Sequence, residues 1–303
     1  MVVNLYDSVA DWLANYKKRT VKAATYDRLL ISLRLMKKFA ISWVGLTELN
    51  CDHIQRYLNE LSDMAYSRST IKKQYVLLTG YLRYAYSQGL IQSPLYMGAK
   101  LPKDICQPKE KFYYTELEQS RLSPILENSN DISCSAGLLM LLTGLRIGEV
   151  LALEWDDIYW DRRFLTVSKT LVKLSTNPNV TFVQDGAKSD SSNRSVPLNQ
   201  RALGLLRKVY AKTGRCKYVF SNGDMPITYA TMKYHLRKAC ELAQVPYTGC
   251  HIFRHTFATN CYNRGCDVKI LSRLLGHADV TITYNTYIHL LEDDLEQLRA
   301  VVD

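Results

Sequence analysis

The chain is expected to be mainly α, built as two helical domains, the second carrying a small antiparallel β-sheet. Three observations predict this. Apolar residues recur at helical spacing over the first ninety or so residues and again through most of the second half; one stretch, residues 161–198, switches to β patterning; and a segment rich in lysine and proline separates the two helical regions. A length of 303 residues also fits two domains better than one. With 47% hydrophobic residues there is material for a sizeable core.

The first domain is placed at residues 1–97, with helices over Tyr6–Tyr16, Thr20–Phe39, Asn50–Met64 and Ser69–Gln88. The last is the clearest. Ile71, Tyr75, Leu78, Leu82 and Ala85 share one face, Ser69 is a candidate N-cap, and Gly89 supplies a stop. Lys72 and Lys73 lie off that stripe, where they either face solvent or meet a polyanion. Residues 98–112 read as a basic linker, with Lys100, Lys103, Lys109 and Lys111 interleaved with Pro102 and Pro108. The second domain, 113–303, opens on the polar-then-acidic helix start Thr115-Glu116-Leu117-Glu118. Helical pattern then covers 132–143 and Gly148–Leu153. Strands are expected at Phe164–Val167, Val180–Val183 and Arg194–Pro197, separated by turn-forming segments. Helices return at Asn199–Ala211, Thr228–Ala243, Phe253–Arg264, Asp267–Leu275 and Val280–Ile288, followed by an acidic amphipathic tail, Leu290–Val302.

A formal charge of +10 favours a polyanionic partner, above all nucleic acid. The excess is concentrated early: residues 1–110 hold 16 Lys and Arg against 9 Asp and Glu, so the first third is expected to supply much of the sequence-independent grip. The eight cysteines form no CxxC pair and no small secreted framework, which suits reduced thiols in a cytoplasmic protein. No apolar run approaches the roughly 20 residues of a membrane helix, and no signal peptide is evident.

Against this background, one set of polar residues is anomalous. Arg146, His251, Arg254, His277 and Tyr287 stand in otherwise apolar helical pattern. Buried charge is costly unless it meets a partner, and a phosphodiester suits two arginines, two histidines and a tyrosine. Singly, each has a plainer explanation. His251 and His255 have the i, i+4 spacing of two metal ligands, but the glutamate of HExxH is missing and no third ligand is evident, so no metal is expected.

The local contexts decide otherwise. Arg146 in "LLTGLRIGEVLAL", His251 and Arg254 in "HIFRHTFAT", His277 in "LLGHADVTIT" and Tyr287 in "YNTYIHL" resemble the signature boxes of the tyrosine recombinase (phage integrase) family. The segment "YSRSTIKKQYVLLTGYLRYAYSQGLIQSPL" is similar to that family's core-binding domain. The ten-residue step from His277 to Tyr287 resembles integrases of mobile elements from Gram-positive-type bacteria, and the two-domain layout resembles Xer-type enzymes. The resemblance implies a clamp around DNA, shared in fold with type IB topoisomerases. Core-binding pattern begins almost at Met1, leaving no room for the separate arm-binding domain of many phage and transposon integrases: either the protein acts on simple core sites, as Xer-type enzymes do, or such a domain has been removed.

The resemblance also implies roles. Tyr287 is the nucleophile that forms a 3′-phosphotyrosine, and cations and a base must activate it because its ordinary pKa near 10 leaves it neutral. Arg146 and Arg254 hold the phosphate through planar, permanently charged forks. His277 donates to the same phosphate, and His251 assists proton movement at the tyrosine. The general acid is a lysine on a β-hairpin, assigned to Lys188 in "GAKSDSSNRSVP", with Lys169 and Lys173 as competitors. Glu149 either orients a cation or forms a structural salt bridge. Tyr284 shares nearly the same helix face as Tyr287; the family spacing selects Tyr287 and leaves Tyr284 to core packing or DNA contact. The DNA-binding lysines are Lys72, Lys73, Lys100, Lys103, Lys109 and Lys111.

Site-specific recombination follows, with no cofactor. The implied partners are double-stranded recombination sites and a homotetramer on two of them passing through a Holliday junction, with an accessory directionality factor as a further partner. A cytoplasmic, nucleoid-associated bacterial location is expected. The competing functions are type IB topoisomerase-like relaxation and a catalytically idle architectural DNA-binding protein.

Overall fold

The computed structural model describes residues 3–102, 113–174, 176, 181–185 and 193–284. The chain divides into two compact units, residues 1–110 with 173–181, and residues 111–172 with 182–303.

In the first unit, Asn4 caps α1 (Leu5–Trp12) by accepting the Asp7 N–H at 2.8 Å. A wider π-turn, Leu13–Lys17, and the short α2 (Lys18–Thr20) prolong it until Val21 adopts extended backbone. The first helix thus runs past its expected end at Tyr16, and the second, α3, expected over Thr20–Phe39, begins only at Ala23 and runs to Met36. A 3₁₀ turn, Ala40–Trp43, leads to α4 (Cys51–Asp63), capped by Asn50. The N-cap of α5 (Arg68–Ser87) is Ser67, whose hydroxyl accepts the Thr70 N–H, so the cap lies two residues before the expected Ser69. The predicted stripe otherwise holds: Ile71, Leu78, Leu82 and Ala85 are buried and join Leu5, Val9, Met36, Ile54, Leu58 and Leu61 in one core, with Tyr75 packed at its margin. One polar pair enters that core, Tyr57 donating to Gln74 Oε1 at 3.0 Å.

The second unit starts with α6 (Glu116–Asn128), closed by the expected reciprocal cap: Glu118 N–H donates to Thr115 Oγ1 at 3.2 Å and Thr115 N–H to Glu118 Oε2 at 2.7 Å. Next comes α7 (Ile132–Thr143), apolar on all sides because it is the central helix, packed against α6, α9 (Gln200–Thr213), α10 (Tyr229–Leu242) and α11 (His251–Asn263). The approach to α10 is close enough that a Cβ on Gly137 would lie 2.4 Å from Leu236. A left-handed Gly144 (φ +69°) ends α7, and α8 (Ile147–Leu151) follows after a two-residue turn.

Strands β1 (Ile158–Tyr159), β2 (Phe164–Val167) and β5 (Arg194–Pro197) form an antiparallel sheet in the order β1-β2-β5, with Leu165 opposite Val196 and Val167 opposite Arg194. The sequence suggested a single sheet, but β4 (Thr181–Asp185) pairs instead with β3 (Lys169–Lys173). Both hydrogen-bonding edges of β2 are already taken by β1 and β5, so β4 needs another partner. A third short pair, β6 (Ser221–Asn222) and β7 (Met225–Pro226), precedes α10. The chain then descends through α11 and α12 (Val268–Leu275) to helical residues 280–284. The fold is thus mainly helical with small sheets, as expected.

Candidate active site

The site is organised around the C-terminal end of α12. Asp267 starts this helix by accepting the N–H groups of Lys269 and Ile270, and Leu271 and Leu275 bury one face against Ala258, Phe257 and Tyr262 of α11. Gly276 ends it in the left-handed conformation (φ +65°). A helix end leaves carbonyls without intrahelical partners and concentrates negative potential there. Here three successive carbonyls receive three different arginines. Arg194 Nε donates to Leu274 O at 2.7 Å, Arg254 Nη2 to Leu275 O at 2.7 Å, and Arg146 Nη2 to Gly276 O at 2.9 Å.

Each arginine arrives from a different element. Arg146 is the N-cap of α8, and its main-chain N–H and guanidinium both donate to Glu149, one helical turn on, at 2.8 Å. Arg254 projects from α11 and also donates to Gly144 O at 2.7 Å, tying the glycine that ends α7. Arg194 opens β5 and grips Glu149 with two nitrogens, at 3.0 and 2.8 Å. Glu149 is 7% exposed and lies between Arg194 and Arg146. Burial alone would raise its pKa, but the Arg194 fork and then the Arg146 charge outweigh it and hold the carboxyl at about 2. Orienting residue and salt bridge are therefore one and the same: Glu149 fixes two cations at once.

The histidines complete the cluster. Arg254 Nη2 also lies 3.0 Å from His277 Nε2, and His277 Nδ1 lies 2.7 Å from the Thr283 hydroxyl. His251 occupies the first turn of α11, exposed, with His255 one turn on and the two rings 6.4 Å apart. Although part of the residue meets solvent, loss of hydration around the ring and then the charges of Arg254, Arg146 and Lys233 push the His251 pKa down. Burial followed by Arg254, Arg146 and Arg194 takes His277 down to about 4, and burial followed by His251 and Arg254 does the same for His255. Neutral imidazoles beside fixed guanidinium groups can exchange protons near an anion while the arginines carry the charge.

Of the residues singled out from the sequence, Arg146, Glu149, His251, Arg254 and His277 thus converge. Lys188 and Tyr287 lie outside the described residues, as do Lys103, Lys109 and Lys111. The competitor Lys169 is engaged elsewhere, 2.8 Å from Glu154 and 3.5 Å from Asp157, and Lys173 is exposed at the end of β3. Tyr284 is 46% exposed, so the core-packing alternative for it does not hold: the helical residues around it bury Thr283 instead. Lys72, Lys73 and Lys100 are all exposed, the first two on α5. Among the described residues, no group of three or more His, Cys, Asp or Glu is placed to hold a metal ion, and no helix is long and apolar enough to cross a membrane. The sequence reading missed Arg194, Gly276 and Thr283. A Cβ on Gly276 would come within 2.8 Å of Arg194 Nη1, so that glycine serves both its backbone angle and the arginine above it. The only sequence signal for Arg194 is its place at the head of a short strand, which says nothing of a partner 45 residues away.

Family models place this site in context. The model described as the phage integrase family matches residues 115–293, and the phage integrase SAM-like domain matches residues 4–101. The chain belongs to the phage integrase family. Among relatives, a protein named tyrosine recombinase XerC-like from Caldanaerobacter subterraneus subsp. tengcongensis is 28% identical over 314 residues, spanning 95% of this chain and 80% of that protein. The integrase of Staphylococcus phage L54a is 24% identical, spanning 95% and 90% respectively. The transposase of transposon Tn916 from Enterococcus faecalis is 26% identical over a shorter stretch, 52% of this chain and 42% of that one. In solved structures, the Tn1549 transposon integrase in complex with transposon right end DNA has the same fold, with a TM-score of 0.80 at 19% identity, covering 98% of this chain and all of that one. A λ integrase tetramer bound to a Holliday junction aligns with a TM-score of 0.71 at 19% identity, over 92% of this chain and 79% of that one. The expected family and fold are both borne out.

Proposed function

We propose that this phage integrase family member is a site-specific DNA recombinase that cleaves and rejoins DNA through a 3′-phosphotyrosine. The observation that carries the reading is the trio of arginines on the carbonyls of Leu274, Leu275 and Gly276, with His251 and His277 held neutral beside them. Such a cluster suits a phosphodiester, because Arg146 and Arg254 can each offer parallel N–H groups to non-bridging oxygens.

In this mechanism Tyr287 Oη attacks phosphorus as the bond to the 5′-oxygen breaks. The tyrosine proton passes toward His251, Lys188 protonates the departing 5′-oxygen, and His277 donates to the phosphate. Glu149 keeps Arg146 in place and Arg194 braces Glu149. Rejoining reverses these transfers on a different 5′-hydroxyl, so bond energy is kept in the phosphotyrosine and no nucleotide cofactor is needed. Fixed guanidinium charge supplies the stabilisation that a divalent ion supplies elsewhere, which makes the reaction metal-independent. Lys72, Lys73 and the lysines of residues 98–112 would hold the DNA backbone. By likeness to the λ integrase tetramer named above, the assembly would be four protomers on two sites.

The test is a nicked suicide duplex built from the repeats flanking the coding sequence. A covalent 3′ adduct should form in EDTA, survive Tyr284→Phe and vanish with Tyr287→Phe. Lys188→Ala should slow it by orders of magnitude, whereas Lys169→Ala should not. An adduct blocked by EDTA, or lost with Tyr284→Phe alone, would overturn the assignment; relaxation of supercoils without strand exchange would place the chain with type IB topoisomerase chemistry.

A further inference from the structure

Thr283 is the one residue of the helical segment 280–284 that is fully buried, at 0% exposure, while Val280, Ile282 and Tyr284 are between 40% and 48% exposed. Threonine is an expensive choice for a buried helical position unless its hydroxyl is used. It is used: Oγ1 lies 2.7 Å from His277 Nδ1. The other ring nitrogen, Nε2, lies 3.0 Å from Arg254 Nη2.

These two contacts fix the ring's protonation. A guanidinium nitrogen can only donate, so Nε2 must present its lone pair to Arg254. The ring proton is therefore on Nδ1, and it is donated to the Thr283 hydroxyl oxygen. Yet a His277 that is to donate to a phosphate through Nε2 needs the opposite tautomer. A hydroxyl is the side-chain group best suited to both, since it accepts or donates by rotating about one bond, which a carboxylate or a methyl group cannot do.

We infer that Thr283 is a positioning residue whose hydroxyl holds the His277 ring in either tautomer and, by rotating, lets it change from accepting Arg254 to donating to a phosphate. With no anion present, Thr283 accepts from Nδ1–H and Nε2 receives Arg254. When a phosphate draws Arg254 toward itself, the ring releases the Nδ1 proton to water and takes one from water at Nε2, leaving its charge unchanged. Thr283 then donates to Nδ1, and Nε2–H points at the anion. Lying four residues before Tyr287 in the chain, Thr283 would thereby link the occupancy of the arginine site to the segment that carries the nucleophile. The inference rests on the phosphotyrosine reading above for its purpose, though not for the tautomer itself.

Nitrogen NMR of the full chain labelled with ¹⁵N-histidine, with His277 assigned through His277→Gln, reads the tautomer directly. Without phosphate, His277 should carry its proton on Nδ1; inorganic phosphate should move it to Nε2. Thr283→Val should leave the phosphate-free ring protonated on Nδ1, because Arg254 still donates to Nε2, but should weaken the phosphate-driven move to Nε2 and slow adduct formation on the suicide duplex about tenfold, the equivalent of one hydrogen bond. Thr283→Ser should keep both the tautomer change and a rate within about twofold of the wild type, since one hydroxyl is exchanged for another. An Nε2–H ring in the phosphate-free wild type would overturn the inference, as would a Thr283→Val protein with unchanged phosphate response and rate. Should Thr283→Val fail to fold, the wild-type and Thr283→Ser spectra still decide it. Absence of an adduct in every protein, wild type included, would overturn the phosphotyrosine reading, while the nitrogen spectra would still judge the tautomer.

Discussion

Replacing Glu149 by glutamine removes one negative charge from between two guanidinium groups and changes the shape of the side chain hardly at all. The carboxyl is 7% exposed and held at about 2 against an ordinary 4.5, a displacement of about 2.5 pH units. At 1.36 kcal/mol per unit, that corresponds to about 3 kcal/mol of folding stability at pH 7. The figure agrees with the ~3–5 kcal/mol expected when one member of a buried ion pair is removed and its partner is left behind. For a unit of this size, it should lower the melting temperature by about 6–12 °C. The sign of the pH dependence follows from the depressed folded pKa: the contribution is complete above the unfolded value of 4.5 and is lost as pH falls from there toward 2. By pH 3 about 1.4 kcal/mol should remain, less than half. Urea unfolding of wild type and Glu149→Gln at pH 7 and pH 3 would therefore give a large deficit that shrinks in acid. A deficit below ~1 kcal/mol at pH 7, or one of equal size at both pH values, would refute the idea that Glu149 is held by Arg194 and Arg146.

Gly276→Ala places a Cβ 2.8 Å from Arg194 Nη1 at a φ of +65°, and should cost about 1–2 kcal/mol for the backbone alone, read by urea unfolding, with weaker DNA cleavage. Gly148→Ala drives a Cβ to 2.5 Å from Thr170 Oγ1 and 2.9 Å from Leu171 O where β3 passes α8, so thermal unfolding should show about 1–3 kcal/mol of overpacking. His255 is held neutral at about 4 against 6.5, so the unfolded chain binds more protons between those values and stability falls as pH drops through that window. His255→Asn should flatten that fall, and an identical decline from pH 7 to pH 5 in wild type and variant would contradict it. Lys72→Ala with Lys73→Ala should weaken DNA binding and reduce the salt slope by about 0.9 for each phosphate that these lysines neutralise; an unchanged slope would leave both lysines facing solvent.

The identity of the chemical groups, and the local elements that carry them, is legible along the chain. Helical periodicity, the Thr115–Glu118 cap and the Gly89 stop are governed by interactions within a few residues, so they can be read along the chain. The boxes around Arg146, His251, Arg254 and His277 were legible for the same reason: each is a charged or polar residue in local apolar pattern, and the family resemblance joined them. Local pattern failed where a choice depended on competition between distant groups. Ser67 and Ser69 are equally good caps in isolation, and packing of the α5 stripe selected Ser67. The strand β4 had the right composition for the β2 sheet, but its place was already filled on both edges.

What holds the arginines emerges from folding. Glu149 and Arg194 are 45 residues apart, and Arg146 reaches a carbonyl 130 residues further along the chain. Nothing in the sequence states that the end of α12 will offer three carbonyls in a row, because a main-chain acceptor has no side-chain signature. Sequence specifies donors and acceptors, whereas which of them meet is set by how the core brings α8, α11, α12 and β5 to one point. The tautomer of His277 is the finest example, since it follows from two neighbours, Arg254 and Thr283, that only folding places on opposite sides of one ring.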